Sequence, residues 1–322
     1  MADALTTTGV VTWDQTAYDM LTYPALRPEL HFDQVATVKP TRQSMPGAAV
    51  VFNQTADLPI VSTAIDESTD VDAVALSDSQ VTLTLAEYGN AAKSTAKLRG
   101  TSYIGVDPVV LEKVAYNAGI SVDTIARDVL KAGTNVLYTG AATARNTVTP
   151  SDHFAAASNG GAARVRQAVA QLRAANVKPW KNGFYAGFIH PDVSYDFRGA
   201  TGGANWRDPH TYSQPDQIWN GEIGAFEGVV FVETSRAPIF ADAGSSTTNT
   251  DVYGTLICGQ EAFAKAWAIA DGGRPLPRTF PTPVTDNLRR FIGHGWYFMV
   301  AYGIFRQAAL RRIESSSSIG AN

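Results

Sequence analysis

Glu222 and Glu227 form the best acid pair in the sequence, five residues apart among Gly221, Gly224 and Gly228. Two carboxylates flanking one bond are what glycoside hydrolysis requires. Gly221-Glu222-Ile223-Gly224 also reads as a turn, and that is the plainer reading. His190-Pro191-Asp192 follows an apolar run, where a strand end could present a catalytic group; a turn closing the strand is the plainer reading. Gly160-Gly161 precede a helical pattern, whose first N–H groups could cradle a phosphate. No Lys, Ser or Thr follows as a phosphate loop needs, so a linker is the simpler assignment. The five histidines (His31, His153, His190, His210, His294) are isolated, and Cys258 is the single cysteine. A zinc site needs three or four converging ligands, so neither a metal nor any other cofactor is expected. P-loop, G-x-S-x-G and H-E-x-x-H patterns are absent.

Charge is segregated. The chain carries a net charge of −4. Residues 1–92 hold three basic and twelve acidic residues, whereas residues 274–312 hold seven arginines and only Asp286. Ordinary solvated surface is one explanation. The other is an acidic region of one copy meeting a basic region of another, since complementary charge sets register between partners. A globally acidic chain is not a dedicated DNA binder. Apolar residues make up 45% and charged residues 17% of the 322, which fits a folded chain of one or two domains. The N-terminus lacks the basic and apolar regions of a signal peptide. The longest nearly apolar stretch, Trp296 to Phe305, is too short for a bilayer, so no membrane partner is expected.

The elements that would position these groups follow from periodicity. Residues 1–45 are punctuated by Pro24, Pro28 and Pro40 and carry Trp13, Tyr18, Tyr23 and Phe32, an extended arm laid on another surface. Gly47 to Phe52 reads as a strand. An acidic excursion with short apolar runs follows, and alternation from Val81 to Ala86 makes a second strand that Tyr88-Gly89-Asn90 ends or bends. Asp107-Pro108 starts a helix that runs to about Tyr138, either kinked at Gly119 or split by a second start at Ser121 and Asp123. Residues 140–160, rich in Thr, Ala, Ser and Gly, are the candidate domain boundary. Ala162 to Ala175 is an amphipathic helix with Val165, Val169 and Leu172 inward. Strands are expected at Phe184–Ile189, Val229–Glu233, Tyr253–Cys258 and Trp296–Phe305. Residues 198–220 and 242–251 read as loops, and 315–322 as a frayed tail.

Several local phrases, in this order, resemble a known family. They are Leu85-Ala86-Glu87-Tyr88-Gly89-Asn90, then Leu172-Arg173-Ala174-Ala175-Asn176-Val177-Lys178-Pro179, then Phe188-Ile189-His190-Pro191. Gly221 to Gly224, Gly228 to Ser235, Gly293-His294-Gly295-Trp296 and Arg312-Ile313-Glu314 complete the set. Together they resemble tailed-bacteriophage major capsid proteins of the Hong Kong 97-like fold, in the subgroup typified by phage N-four. Thr285-Asp286-Asn287-Leu288 departs from that subgroup's frequent Asp-Pro-Leu.

The resemblance implies an α+β chain with an N-terminal arm (1–45), an extended loop reaching over a neighbour (46–80) and a peripheral domain with a long spine helix (81–139). An axial domain (140–290), a return strand through the body (291–314) and the tail (315–322) follow. It implies assembly into hexamers and pentamers of an icosahedral head enclosing double-stranded DNA, in the host cytoplasm, without catalysis. The partners it implies are further copies of the chain, a portal protein, a separate scaffolding protein, decoration or minor capsid proteins, and packaged DNA bound without sequence readout. A nanocompartment shell sharing the fold is the alternative. No fused scaffolding segment is expected, because no long charged helical segment precedes the arm. Residues 43–80 contain no lysine, so a non-covalent shell is expected, and covalent ladders on a denaturing gel would overturn that. The charge segregation places Asp66, Glu67, Asp70 and Asp72 against a neighbour's Arg289, Arg290, Arg311 or Arg312, with contact to DNA phosphates as the competing use of those arginines.

Overall fold

The computed structural model describes residues 31–319, apart from 39–48, 56–57, 63, 65–67, 69, 71–72, 103–105, 206–221, 248, 268–275 and 284–285. Most of the expected arm therefore lies outside the described residues; its last part is a 3₁₀ turn at Asp33–Val35. Strands β1 (Ala49–Thr55) and β2 (Asp78–Thr84) pair antiparallel, Ala49 opposite Thr84 and Thr55 opposite Asp78. The chain does not stop at Tyr88–Asn90 but enters β3 (Ala86–Thr95). Gly89 allows close approach within that strand rather than a turn: a Cβ there would meet the Trp296 carbonyl oxygen at 2.8 Å.

After α1 (Ala96–Thr101), capped by Thr95 Oγ1 accepting from Leu98 N, comes α2 (Val106–Lys131). It is a single helix of 26 residues, about 39 Å long. Gly119 sits buried inside it. Ser121 and Asp123 do not restart it: the Ser121 hydroxyl donates back to Asn117 O, and the Asp123 carboxylate accepts from His31 N and Phe32 N. It ends seven residues before the expected Tyr138. A Cβ on Gly133 would press on the Leu310 side chain at 2.6 Å, and the chain turns there into β4 (Val136–Tyr138).

Helix α3 (Gly161–Ala174) buries Val165, Val169 and Leu172 as its period demands. Strand β5 (Tyr185–Ile189) is buried throughout. His190-Pro191 does more than close it: Pro191 opens α4 (Pro191–Asn205), so residues 198–205 of the expected loop are helical and the rest of it lies outside the described residues. Strands β6 (Glu222–Phe226) and β7 (Val229–Glu233) form a hairpin. The expected turn at 221–224 is thus strand from Glu222 on, and the true turn is Glu227-Gly228, with φ of 50° and 85° as a primed two-residue turn requires. The remaining strands are β8 (Ile239–Phe240), β9 (Val252–Cys258), β10 (Phe263–Trp267), β11 (Arg278–Pro281), β12 (Phe291–Ile304) and β13 (Leu310–Ser315).

Strand β12 pairs along one edge with β3, from Phe291–Thr95 to Val300–Ala86, and along the other with β11 and then β10. The larger sheet runs β4-β13-β9-β5-β7-β6, with β8 on β9. Helix α2 joins the two. Its first half packs Val114, Ala118 and Val122 on Trp296, Phe298 and Val300 of β12. Its second half puts Ala126 and Leu130 into the main core with α3, β5, β7, β9 and β13. Each fully buried Val, Leu or Phe contributes about 1.5–3 kcal/mol, so the spine is held by two cores at once.

Residues 140–160 are packed, with Val148 and Phe154 at 0% exposure. Asp152 organises them, accepting from Ala141 N and Thr149 N, both at 2.9 Å. The expected frayed tail is also a correction. Ser315, Ser316 and Ser317 are fully buried, Ser316 N donates to Asp152 O and Ser318 N to Asp196 Oδ2. Asp152 and Asp196 hold the strand beyond its last ladder bond, which serine composition alone could not signal.

His294 is 2% exposed on β12. Burial pushes its pKa below 6.5, with nearby Arg99 adding and Asp107 opposing. His190 shifts the same way, again by burial. The unfolded chain then binds more protons than the folded one just below 6.5. Stability is present in full above that pH and is lost as the pH falls towards the lowered values. Thermal unfolding scanned from pH 7.5 to 5.5 should show a falling Tm, with a shallower fall in His294→Asn.

Candidate functional site

The sequence-level catalytic candidates do not converge. Glu222 opens β6 and Glu227 lies in the turn after it, about 16 Å apart along an extended backbone. Glu227 is ion-paired to Arg166 at 2.9 Å. His190 Nδ1 accepts from Asp192 N at 3.3 Å, its ring lies 5.0 Å from that of Tyr253, and Tyr253 donates to Asp192 Oδ2 at 3.1 Å. The group is a helix-start knot, with Tyr253 pushed up to about 12 by burial and by the Asp192 carboxylate. Gly161 is glycine because the Phe154 ring occupies the space of a Cβ; it is neither linker nor phosphate cradle. Cys258 is buried, and burial raises its thiol to about 12, so it is no nucleophile. Among the described residues no three His, Cys, Asp or Glu side chains could hold a metal, and no helix is long and apolar enough to cross a membrane.

What the molecule presents instead is adhesive surface. The β1–β2 ribbon is rooted on the body by Val50, Phe52 and Leu83 against Ala264, Ala301 and Phe305. Beyond this root, Leu58, Ile60, Val61, Val74 and Leu76 are exposed, Ile60 by 94%. Asp70 is exposed on the same excursion, while Asp66, Glu67 and Asp72 lie outside the described residues. A two-stranded ribbon with an apolar outer part is not stable by itself in water.

A second surface lies where β12 begins, beside α1. Leu98, Leu288, Phe291 and Ile292 are exposed there, and Ala96 N donates to Arg290 O. Arg289, at φ 50°, is exposed. Arg290 is exposed and pairs with Asp286 at 2.9 Å, holding that carboxyl below its ordinary value. The patch combines large apolar side chains with cationic ones.

The other two arginines are used differently. Arg311 donates to Gln171 Oε1, Ala308 O and Leu310 O. Arg312 is 5% exposed; it meets Glu314 at 2.8 Å and donates to Gly133 O at 2.9 Å and to Lys131 O. Glu314 also takes Arg145 at 2.6 Å, and the Arg145 guanidinium lies 3.5 Å from the Phe240 ring centroid. Arg312 therefore leaves the interface set, because its charge is spent inside the subunit. Its partner two residues on, on the same strand face, was the available signal.

Sequence reasoning also missed the groups that tie residues 31–37 to the body. Asp123 on α2, 0% exposed, accepts from His31 N and Phe32 N at 3.1 Å and pairs with Arg236 at 3.0 Å. Burial raises its pKa, and those N–H groups and Arg236 oppose the rise. Lys265 of β10 holds Asp33 at 2.7 Å, and Tyr302 donates to Asp33 at 2.6 Å. An aspartate in the apolar stripe of a helix, and a lysine in Phe263-Ala264-Lys265-Ala266-Trp267, were the legible hints.

The sequence model of the family described as phage capsid protein matches residues 7–298. No curated protein sequence matches the chain. Among solved structures, the capsid of Ralstonia phage GP4 superposes with a TM-score of 0.71 at 14% identity, covering 89% of each chain. The capsid asymmetric unit of Cyanophage Pam1 gives 0.65 at 15% identity, covering 92% of this chain and 93% of that one. The capsid of Cyanophage P-SCSP1u gives 0.63 at 13% identity, covering 90% and 89%. At such identities the likeness establishes the fold, which is Hong Kong 97-like.

Proposed function

The chain belongs to the phage capsid protein family, and from that premise we propose that its exposed β1–β2 excursion and the apolar, basic patch at the start of β12 join one copy to the next. The protein is a major capsid protein and forms the head shell. The observation that carries the interface reading is the match between two incomplete surfaces. The excursion is apolar and acidic, and the patch is apolar and basic. Burying both removes exposed Ile60, Val61, Phe291 and Ile292 from water and sets Asp70 near Arg289 and Arg290. Many such contacts, each modest, close a shell through multivalency.

In this reading residues 1–45 are the arm, 46–80 the loop that reaches a neighbour, 81–139 the peripheral domain and 140–290 the axial domain. Residues 291–314 return through the body, where β12 and β13 each pair with strands from earlier in the chain. Hexamers and pentamers, a portal, a separate scaffolding protein, decoration proteins and enclosed double-stranded DNA complete the assembly in the host cytoplasm. Its role is structural rather than enzymatic.

Charge reversal tests the interface. Asp70→Arg or Arg289→Glu alone should lower the yield of closed particles about tenfold, because like charges facing across an interface cost several kcal/mol. The two together should restore most of it. Unchanged yield and unchanged salt stability in both single variants would remove these residues from the interface.

A further inference from the structure

One strongly charged face lies apart from the two adhesive surfaces described above. From residue 153 to residue 191 the chain carries five Lys or Arg residues and no Asp or Glu, although the chain as a whole is acidic. Helix α3 and the turn after it place them together. Arg166 and Arg173 stand seven residues apart on one side of α3, about 10.5 Å along its axis. Both reach the Glu227-Gly228 turn: Arg166 through its ion pair, and Arg173 through an Nη2 that would lie 3.2 Å from a Cβ at Gly228. Lys178 and Lys181 follow, both exposed. Arg306 donates to Ala175 O and Arg311 to Gln171 Oε1, which brings two more cations to the same end of the helix. Glu227 and Glu261 border the face; the side chains of Arg173, Lys178 and Lys181 make no ion pair among the described residues.

We propose that this basic face of α3 is the surface through which the shell wall contacts the phosphate backbone of enclosed double-stranded DNA. The proposal rests on the capsid reading and adds to it the place of contact. Its character separates it from the subunit interface. No large apolar side chain is exposed on it among the described residues; between its cations it shows Ala163, Gln167, Ala170 and Ala174. The acidic β1–β2 excursion carries exposed Leu, Ile and Val and needs an apolar receptor, which α3 does not offer. A hydrated polyanion needs only spaced cations on long side chains, and these contacts read no sequence. The basic residues near the α3 C-terminus also complement its dipole, but that accounts for Arg173 and not for Lys181, which lies beyond the turn.

The test uses the full-length subunit and random-sequence double-stranded DNA fragments, with affinity followed against salt concentration. Wild type should bind, with log K falling linearly with log salt. Arg173→Glu/Lys178→Glu/Lys181→Glu should lower affinity at least about tenfold at low salt and reduce the slope by about 3, since each phosphate contact contributes about 0.9. Arg173→Lys should keep the wild-type slope. Electron microscopy of the same preparations separates the two readings. Closed particles from both proteins with a lowered slope in the triple variant support the proposal. Closed particles with an unchanged slope overturn it and leave the capsid reading standing. A folded triple variant that no longer closes particles makes the face a contact between copies and also overturns it. Absence of closed particles from wild type at high concentration with scaffolding protein supplied would strike the capsid reading itself.

Discussion

Glu314→Ala should destabilise the subunit by about 3–5 kcal/mol, the cost of removing one partner from a buried ion pair. Glu314 is 0% exposed and is the shared acceptor of Arg145 and Arg312. Removing it leaves Arg312, 5% exposed, with the carbonyls of Lys131 and Gly133 and the Phe240 ring at 5.5 Å and, among the described residues, no counter-charge. Total stability of a domain is about 5–15 kcal/mol, so the loss is a large fraction. Arg145→Ala should cost less, because the Arg145 side chain is 34% exposed and Glu314 retains Arg312. Urea unfolding of the unassembled subunit checks the order. A loss below about 1 kcal/mol in Glu314→Ala would mean that the triad is not a tie. The position matters because the triad joins the end of the spine helix, the 140–160 segment and the last strand.

Asp123→Ala should cost about 3 kcal/mol and act locally. Two backbone N–H groups and the Arg236 guanidinium lose their acceptor inside the protein, and each buried unsatisfied donor costs about 1–3 kcal/mol. Residues 31–37 should loosen first, withdrawing Phe32, 0% exposed and 4.7 Å from the Phe188 ring, from the main core. Hydrogen exchange should then lose protection at 31–37 while α3 and β9 keep theirs. Asp123→Asn, which retains an acceptor oxygen, should lose roughly half as much. Full retention of protection in Asp123→Ala would assign the anchoring to Lys265 and Tyr302 on Asp33 instead.

These ties explain what could be read in advance. Helix α3 was legible because Val165, Val169 and Leu172 repeat at the helical period. Strand β7 was legible as an apolar run, Val229 to Val232, and β9 as an apolar run interrupted at Gly254-Thr255. The spine was legible from its start but not from its end, since Gly133 is set by the Leu310 side chain, 177 residues later in the chain. Strands β10 and β11 escaped notice because one centres on a buried lysine and the other is four residues ending in proline. The β6–β7 turn was misplaced because Gly221 and Gly224 look more like a turn than Glu227-Gly228. The charge segregation pointed to assembly, yet counted Arg312 as surface; only strand alternation sets it beside Glu314. The capsid assignment itself came from the ordered phrases and not from composition.

The central claim is closure into a shell, and electron microscopy of the purified protein at high concentration, with scaffolding protein supplied, tests it most directly. Closed icosahedral particles are the predicted result, with a nucleic-acid absorbance ratio when they are filled. Small oligomers alone under those conditions would contradict it.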